Sequence, residues 1–398
     1  DDPQAKRELR INAFKQILTE GIEPRRLWYK LCKRGISVTA KLKTQENAKP
    51  ADAGKQPRVI MDLAVPASLQ FFRGADILKQ ITAAKPIIWK DGIAIFCKSP
   101  NTQKLRDLFS MMYKPTYRVT FVYFSDDSML AIKQPSGQVL WWNVDISECD
   151  KSHTDEMFES ACKVIEHDDF RIATEQCSVP ITLRSVNTPT NKVVIQMEDD
   201  QGRPERRMFS GSVLTTWFNG YGYSWVFYQL VEGNAMSTDD IRRAGENAGY
   251  ILDIEPAEIF EDVQFLKHSP VWDGHEWQPI LNVGVLMRLS GACRNDLPGR
   301  GDLKLRAQQF QAGLLQGAYP RVSTPFLDAM KAAVSHVKST DAVDKYFERE
   351  LRYKVDHDQT DETVIHVSSH HLFRRYRLTP EEIGWLEDAD YSVFNHLN

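Results

Sequence analysis

The chain has 398 residues, of which 50 are Lys or Arg and 54 are Asp or Glu, and a formal net charge of −4. That length allows two or three domains and a sizeable core. Apolar content of 42% and charged content of 26% are those of a soluble globular protein, and no repeat or low-complexity tract interrupts it. No run reaches the length of uninterrupted apolar residues that a membrane helix needs, and no signal peptide is expected from the first residues. The absence of an initiator Met points to a processed or truncated product. Six cysteines without a CxxC pair fit reduced thiols in a cytosol-like compartment. The charge is uneven: residues 1–60 hold 14 Lys and Arg against 7 Asp and Glu. A basic end on an acidic chain can track a phosphate backbone or a triphosphate.

In chain order, the strand-like "ISVTAKLK" and "RVIMDLAV" flank a polar, Pro- and Gly-containing segment at 44–57. From 118 the pattern turns to strands, "RVTFVYF", "SMLAIK" and "QVLWWNVDIS", with "QPSG" as a turn between the last two. Helices are expected in "TDEMFESACKVI" and over 211–230. Another is expected in "STDDIRRAGENAG", which opens on a Ser or Thr cap and ends on Gly. After about 275 the chain reads as mainly helical; "LTPEEIGWLEDA" carries a Thr cap, a Pro at the first helical position and a Glu placed for a capping box.

The stretch "YFSDDSML" sets Asp126 and Asp127 side by side at a hairpin tip. If Pro135, Ser136 and Gly137 form the next turn, Asp127 faces Asp145; a two-residue Ser136-Gly137 turn would slide the pairing by one, to Ser128. In either register three carboxylates gather at one edge of a three-stranded meander. Such a cluster is costly unless cations neutralise it, and hard divalent ions with oxygen ligands do so best. Two metals bridged by carboxylates are the apparatus of in-line phosphoryl transfer. Downstream, "FSGSVLTTWFNG" places Thr215 and Asn219 on one face of a helix, just after Ser210 and Gly211.

These residues resemble the palm motifs of viral RNA-dependent RNA polymerases. The SDD turn is similar to motif C, Asp145 with Asp150 to motif A, and the Ser210-Gly211, Thr215, Asn219 pattern to motif B. Lys41, Lys43, Lys55 and Arg58 look like the basic fingers hairpin called motif F, and Phe265, Leu266 and Lys267 like the motif E turn that meets the primer. The order C, A, B, rather than A, B, C, resembles the permuted polymerases of permutotetraviruses and birnaviruses. Those carry GDD and ADN turns where this chain has SDD. The resemblance covers about residues 41–270; the last third matches a thumb by position alone.

The resemblance implies an α/β right-hand fold, with an antiparallel palm sheet flanked by helices and a mainly helical thumb. It divides the chain into fingers (1–117, the basic hairpin at about 41–60), a first palm part (118–150) and a fingers insertion (151–205). A second palm part (206–274) and the thumb (275–398) complete it. It implies an enzyme that extends RNA from ribonucleoside triphosphates with two Mg²⁺ or Mn²⁺ ions at Asp126, Asp127 and Asp145. Lys41, Lys43, Lys55 and Arg58 would grip the triphosphate; Asp150, Ser210, Gly211, Thr215 and Asn219 would sense the sugar. The implied partners are an RNA template, the nascent strand, and viral capsid or replication proteins, in the host cytoplasm or virion. No lysine lies between Lys192 and Lys267 to act as the motif D acid, which leaves Arg242, Arg243, His268 or water. Trp141 and Trp142, one on each side of a strand, read as packing, and His366, His370 and His371 as surface residues. A reverse transcriptase and a non-catalytic RNA-binding protein on the same fold are the rivals. Asp150 with Asn219 speaks against the first, and the intact aspartates against the second.

Overall fold

The computed structural model describes residues 35–42, 59–63, 65–83, 85–125, 127–185, 192–291, 302–316, 322–336 and 364–391, together with Glu8, Asn12 and Lys15. Lys43, Lys55, Arg58 and Asp126 lie outside the described residues, as does the segment 44–57. For Lys41 only the backbone is described.

Both strands expected at the amino-terminal end are present. Strands β1 (Ile36–Leu42) and β2 (Val59–Leu63) pair antiparallel, and Lys41 stands opposite Ile60. Helix α1 (Val65–Thr82) packs against them. The chain then forms β3 (Ile87–Trp89), β4 (Gly92–Phe96) and α2 (Thr102–Tyr113), and enters the meander of β5 (Val119–Phe124), β6 (Asp127–Lys133) and β7 (Val139–Ile146). A short helix α3 (Cys149–Ser152) follows, then α4 (Asp155–Val164), α5 (Asp168–Glu175), β8 (Ile181–Ser185) and β9 (Lys192–Ile195). These last two strands extend the first sheet to the order β2-β1-β8-β9, with β1 and β8 parallel. Phe71, Phe158, Phe170 and Phe218 share one buried cluster with Ile36 and Ile181, so 151–185 builds one core with the amino-terminal strands.

The meander register is the one set by a three-residue turn. Met129 pairs with Asn143 and Lys133 with Val139. Gln134 and Gln138 close the loop, and Gly137 takes φ +88° there. A left-handed Gly at the third loop position is what a three-residue hairpin requires. The sheet is wider than the three strands expected, with β4 and β3 beyond β5 and a sixth strand beyond β7. Strand β10 (Leu252–Ala257) pairs antiparallel with β7, so Asp145 is not on an edge strand. Its alternation is broken by Pro256, a residue that edge strands tolerate. Strand β4 pairs parallel with β5 through the crossover helix α2, a contact of distant residues that short strands do not advertise.

Helices α6 (Val213–Glu232) and α7 (Thr238–Asn247) cover one face of this sheet, where Phe121, Leu130, Trp142, Val144 and Leu252 point. Ser212 caps α6 by accepting the Leu214 N–H, and Ser237 forms a capping box with Asp240 at α7. At its far end α6 is tied to the sheet by Arg118. Its guanidinium donates to the Val231 and Ala235 carbonyls while pairing with Asp91. A cation there complements the helix dipole. The other face carries Val122, Met129 and Ala131 against α2, and meets the hairpin of β11 (His268–Trp272) and β12 (Trp277–Leu281). Trp142 and Trp141 divide between the two faces, the first donating to Thr238 Oγ1 and the second to the Met112 carbonyl.

The described residues of the last third are mainly helical, as expected: α8 (Val283–Leu289), α9 (Leu303–Gln316), α10 (Pro325–Ala333), α11 (Ser369–Phe373) and α12 (Pro380–Glu387) surround one buried cluster around Phe326, Leu327 and Phe373. Thr379, Pro380 and Glu382 form the expected cap of α12. None of the described helices is long and apolar enough to cross a membrane.

Candidate active site

Strand alternation decides which side chains share a face. Met129, Ala131 and Trp141 lie on the α2 side, so Asp127, Asn143 and Asp145 start from that face too, with Asp145 close enough to the strand end for Tyr223 of α6 to reach its carboxylate. Asp127 and Asp145 line one cleft of about 860 Å³. Asp253 of β10, the cross-strand partner of Asp145, lines it as well, as does Glu255. Sequence reading missed Asp253 because its relation to Asp145 exists only once β10 pairs with β7. Like charges directly opposite are destabilising, and here Ser147 donates its hydroxyl to Asp253 Oδ2 at 2.7 Å.

The Leu266-Lys267 turn borders the same cleft. Both residues have positive φ, 50° and 65°, and Phe265 and His268 exchange two backbone hydrogen bonds around them. A left-handed pair without Gly or Asn is strained by roughly 1–2 kcal/mol per residue and persists only where its surroundings hold it. The holding groups come from the meander. Asp127 Oδ2 accepts the Leu266 N–H at 2.7 Å. Asn143 accepts the Gln264 N–H at 2.8 Å and donates to the Asp262 carbonyl at 3.0 Å. The SDD strand and the strand of Asp145 thus stitch the turn over the carboxylate face. Arg375 reaches Gln264 from the carboxy-terminal helices.

A single stripe of α6 fixes the segment after β7. Thr215, Asn219 and Tyr223 succeed one another at four-residue spacing, on one helix face. Thr215 donates its hydroxyl to the Phe209 carbonyl at 2.8 Å, holding the loop of Ser210 and Gly211 against the helix. Gly211 takes φ +99°, and the Ser210 carbonyl accepts the Met61 N–H. Asn219 donates Nδ2–H to Asp150 Oδ1 at 3.0 Å. Tyr223 donates its hydroxyl to Asp145 Oδ1 at 3.3 Å and accepts the Ile146 N–H at 3.1 Å. One helix therefore holds both carboxylates of the motif A-like segment. Tyr223 was legible in principle, as the next residue in the stripe.

Behind Asn219 lies His153, fully buried. Its Nε2 is 2.8 Å from Asn219 Oδ1 and its Nδ1 is 3.0 Å from the Tyr250 hydroxyl. Burial pulls the imidazole down from 6.5 to about 4, against smaller opposing effects of Asn219 and Asp150, so the ring is neutral near pH 7. The folded chain resists a proton that the unfolded chain takes up near pH 6.5. Stability from this residue is therefore complete above about pH 6.5 and declines as pH falls towards 4, by up to about 1.4 kcal/mol per pH unit. Denaturant titrations at pH 7.5, 6 and 5 are expected to trace that decline, and His153→Leu should flatten its share of it.

Of the expected site residues, the structure brings Asp127, Asp145, Leu266 and Lys267 to one cleft. It joins Asp150 to Asn219 by a hydrogen bond. Phe265 is fully buried beneath the turn. His268 lines the cleft, whereas Arg242 and Arg243 sit on α7 beyond the opposite face of the sheet and pair with Asp239 and Asp240. Among the described residues no group of three or more His, Cys, Asp or Glu is gathered tightly enough to hold a metal. Asp126 is not one of them. An all-carboxylate set of hard oxygen donors, as at Asp127 and Asp145, is the chemistry that Mg²⁺ and Mn²⁺ take.

No protein-family model matches the chain, and no curated protein matches its sequence. Among solved structures its fold is similar to the birnavirus VP1–VP3 complex, at 13% identity and a TM-score of 0.47, over 76% of this chain and 44% of that one. It is similar to the RNA polymerase VP1 from Infectious Pancreatic Necrosis Virus at 11% identity and 0.48, over 87% and 55%. It is also similar to the RNA-dependent RNA polymerase from bacteriophage phi12 at 11% and 0.35, over 90% and 59%. The chain spans about half the length of these proteins.

Proposed function

We propose that this chain is an RNA-dependent RNA polymerase of the permuted viral type, which extends an RNA 3′-hydroxyl with ribonucleotides under the direction of an RNA template. The observation that carries the reading is the cleft that holds Asp127 and Asp145 beneath the strained Leu266-Lys267 turn, with Asp150, on the segment leading away from Asp145, hydrogen-bonded to Asn219 of α6. Asp126, Asp127 and Asp145 would hold two Mg²⁺ or Mn²⁺ ions, which activate the 3′-hydroxyl and stabilise the pyrophosphate leaving group when bound.

The chain's own part is positioning. Lys41, Lys43, Lys55 and Arg58 would bind the triphosphate, and Phe265, Leu266 and Lys267 would seat the primer end. Ser210 and Gly211, on the loop held by Thr215, would border the sugar that Asp150 and Asn219 sense. Of Arg242, Arg243 and His268, His268 is the one that lines the cleft, and it or water would protonate the leaving pyrophosphate. The order C, A, B is a matter of connectivity: the 135–137 turn joins the SDD hairpin straight to the strand of Asp145. In this reading fingers, palm and thumb take the boundaries given by the motifs, with β3 and β4 lent to the palm sheet from before residue 118. An RNA template with its nascent strand, and viral capsid or replication proteins, are its partners in the host cytoplasm or virion.

Losing a hydrogen bond that only a ribonucleotide makes costs about 1–3 kcal/mol. Asp150→Ala and Asn219→Ala are therefore expected to narrow the preference for rNTPs over dNTPs about tenfold, measured as the ratio of kcat/KM values. Primer extension on a heteropolymeric RNA template, with rNTPs or dNTPs and with Mg²⁺ or EDTA, tests the function. Metal-dependent extension with rNTPs supports it. Extension on RNA with dNTPs alone would make the chain a reverse transcriptase, and RNA binding without extension a non-catalytic module.

A further inference from the structure

We propose that His153 and Tyr250 are positioning residues for sugar selection: a buried relay, Tyr250 to His153 to Asn219, that turns the Asn219 amide so that Asp150 is left as the acceptor for a ribose 2′-hydroxyl. The inference rests on the polymerase reading for the identity of the ligand, and on the hydrogen bonds for the relay itself.

Three facts determine its direction. Asp150 is a carboxylate and accepts, so the Asn219 atom 3.0 Å from it is the amide nitrogen. The carbonyl oxygen of Asn219 is then the atom 2.8 Å from His153 Nε2, and that nitrogen carries the proton. In the neutral ring Nδ1 is bare and accepts from the Tyr250 hydroxyl at 3.0 Å. Each member thus has one arrangement that satisfies its neighbours. The reversed tautomer would turn the Asn219 oxygen towards the Asp150 carboxylate, oxygen against oxygen.

The fold makes room for this relay. A Cβ on Gly222 of α6 would lie 2.6 Å from the Tyr250 oxygen and 3.4 Å from His153 Cε1, so only a glycine lets the tyrosine reach under the helix. Phe218 packs its ring edgewise on His153, at 4.8 Å between centroids. Asn219, His153 and Tyr250 are all nearly sealed from water. Buried polar groups left without partners are costly, so the relay keeps one geometry.

The consequence concerns chemistry at the sugar. With its oxygen taken by His153, Asn219 keeps its N–H on Asp150 and leaves that partly exposed carboxylate as the acceptor. A 2′-hydroxyl can donate to Asp150; a deoxyribose cannot. Uncoupling the relay removes the second hydrogen bond that fixes the Asn219 amide plane, so the Asp150 carboxylate it holds loses the orientation that meets a 2′-hydroxyl; ribose recognition weakens while the deoxyribose contacts stay as they were.

The test uses the full chain on an RNA primer–template. Binding of ATP and of dATP is measured with a primer that lacks a 3′-hydroxyl, and incorporation with an ordinary primer. Tyr250→Phe removes one oxygen, and His153→Leu removes both ring nitrogens. Each is expected to reduce the ATP over dATP preference about fivefold or more. His153→Gln, which restores an N–H donor near Nε2, is expected to stay within about twofold of the parent. If His153→Leu fails to fold, Tyr250→Phe decides. A purely structural role would weaken ATP and dATP alike, and an unchanged ratio in Tyr250→Phe overturns the relay. A parent that shows no preference for ATP also overturns it. A parent that prefers ATP but does not extend primers overturns the polymerase reading, and the relay then stands or falls on the binding ratios.

Discussion

Asp145→Ala is expected to lower RNA-directed extension by at least about 10³-fold while leaving the chain folded. Asp145 is exposed on the cleft face of β7 and stands opposite Asp253 across the β7–β10 ladder. Removing it deprives the proposed metal site of a ligand and relieves repulsion between facing carboxylates. Tyr223 loses one acceptor but keeps its bond from the Ile146 N–H. The melting temperature should therefore be unchanged or higher, the reverse of the loss that follows from cutting a structural ion pair. Asp126→Ala is expected to act in the same way. Single-nucleotide incorporation and thermal unfolding on the same preparations check both parts, and near-parent incorporation by Asp145→Ala in Mg²⁺ would remove Asp145 from the site.

Asp127 has a second task, and two variants separate the tasks. Its Oδ2 holds the Leu266 N–H, so it restrains a turn strained at two residues. Asp127→Ala loses both the charge and the acceptor; extension is expected to fall about 10²-fold, with a raised KM for the primer as the 265–268 turn relaxes. Asp127→Asn loses the charge but keeps an amide oxygen for that N–H. Its primer KM should stay near the parent's while kcat falls and the demand for divalent metal rises. Equal primer KM values in the two variants would show that the bond does not position the turn.

The hairpin was legible to within one residue of register because the "QPSG" tetrapeptide marks the turn and alternation marks the strands. The choice between a three- and a two-residue loop was not, since Gly137 serves either. The caps of α7 and α12 were legible for the same local reason, a Ser or Thr placed three residues before an acidic side chain. The groups around the site were mostly not. Asp253 becomes the neighbour of Asp145 only when a Pro-containing strand is added to the sheet, and Asn143 acts on a segment about 120 residues away. His153 looks like any histidine after a short helix until Asn219 and Tyr250 close around it. Such pairings depend on tertiary contacts of high sequence separation, which no local pattern encodes.

Template-directed synthesis in the carboxylate cleft is tested most directly by single-nucleotide addition to an RNA primer on four templates that differ only in the next base. With Mg²⁺ and all four labelled rNTPs offered separately, the parent is predicted to add the complement of each template base, and Asp145→Ala to add none. Incorporation that does not follow the template base, or that persists in Asp145→Ala, would contradict the account.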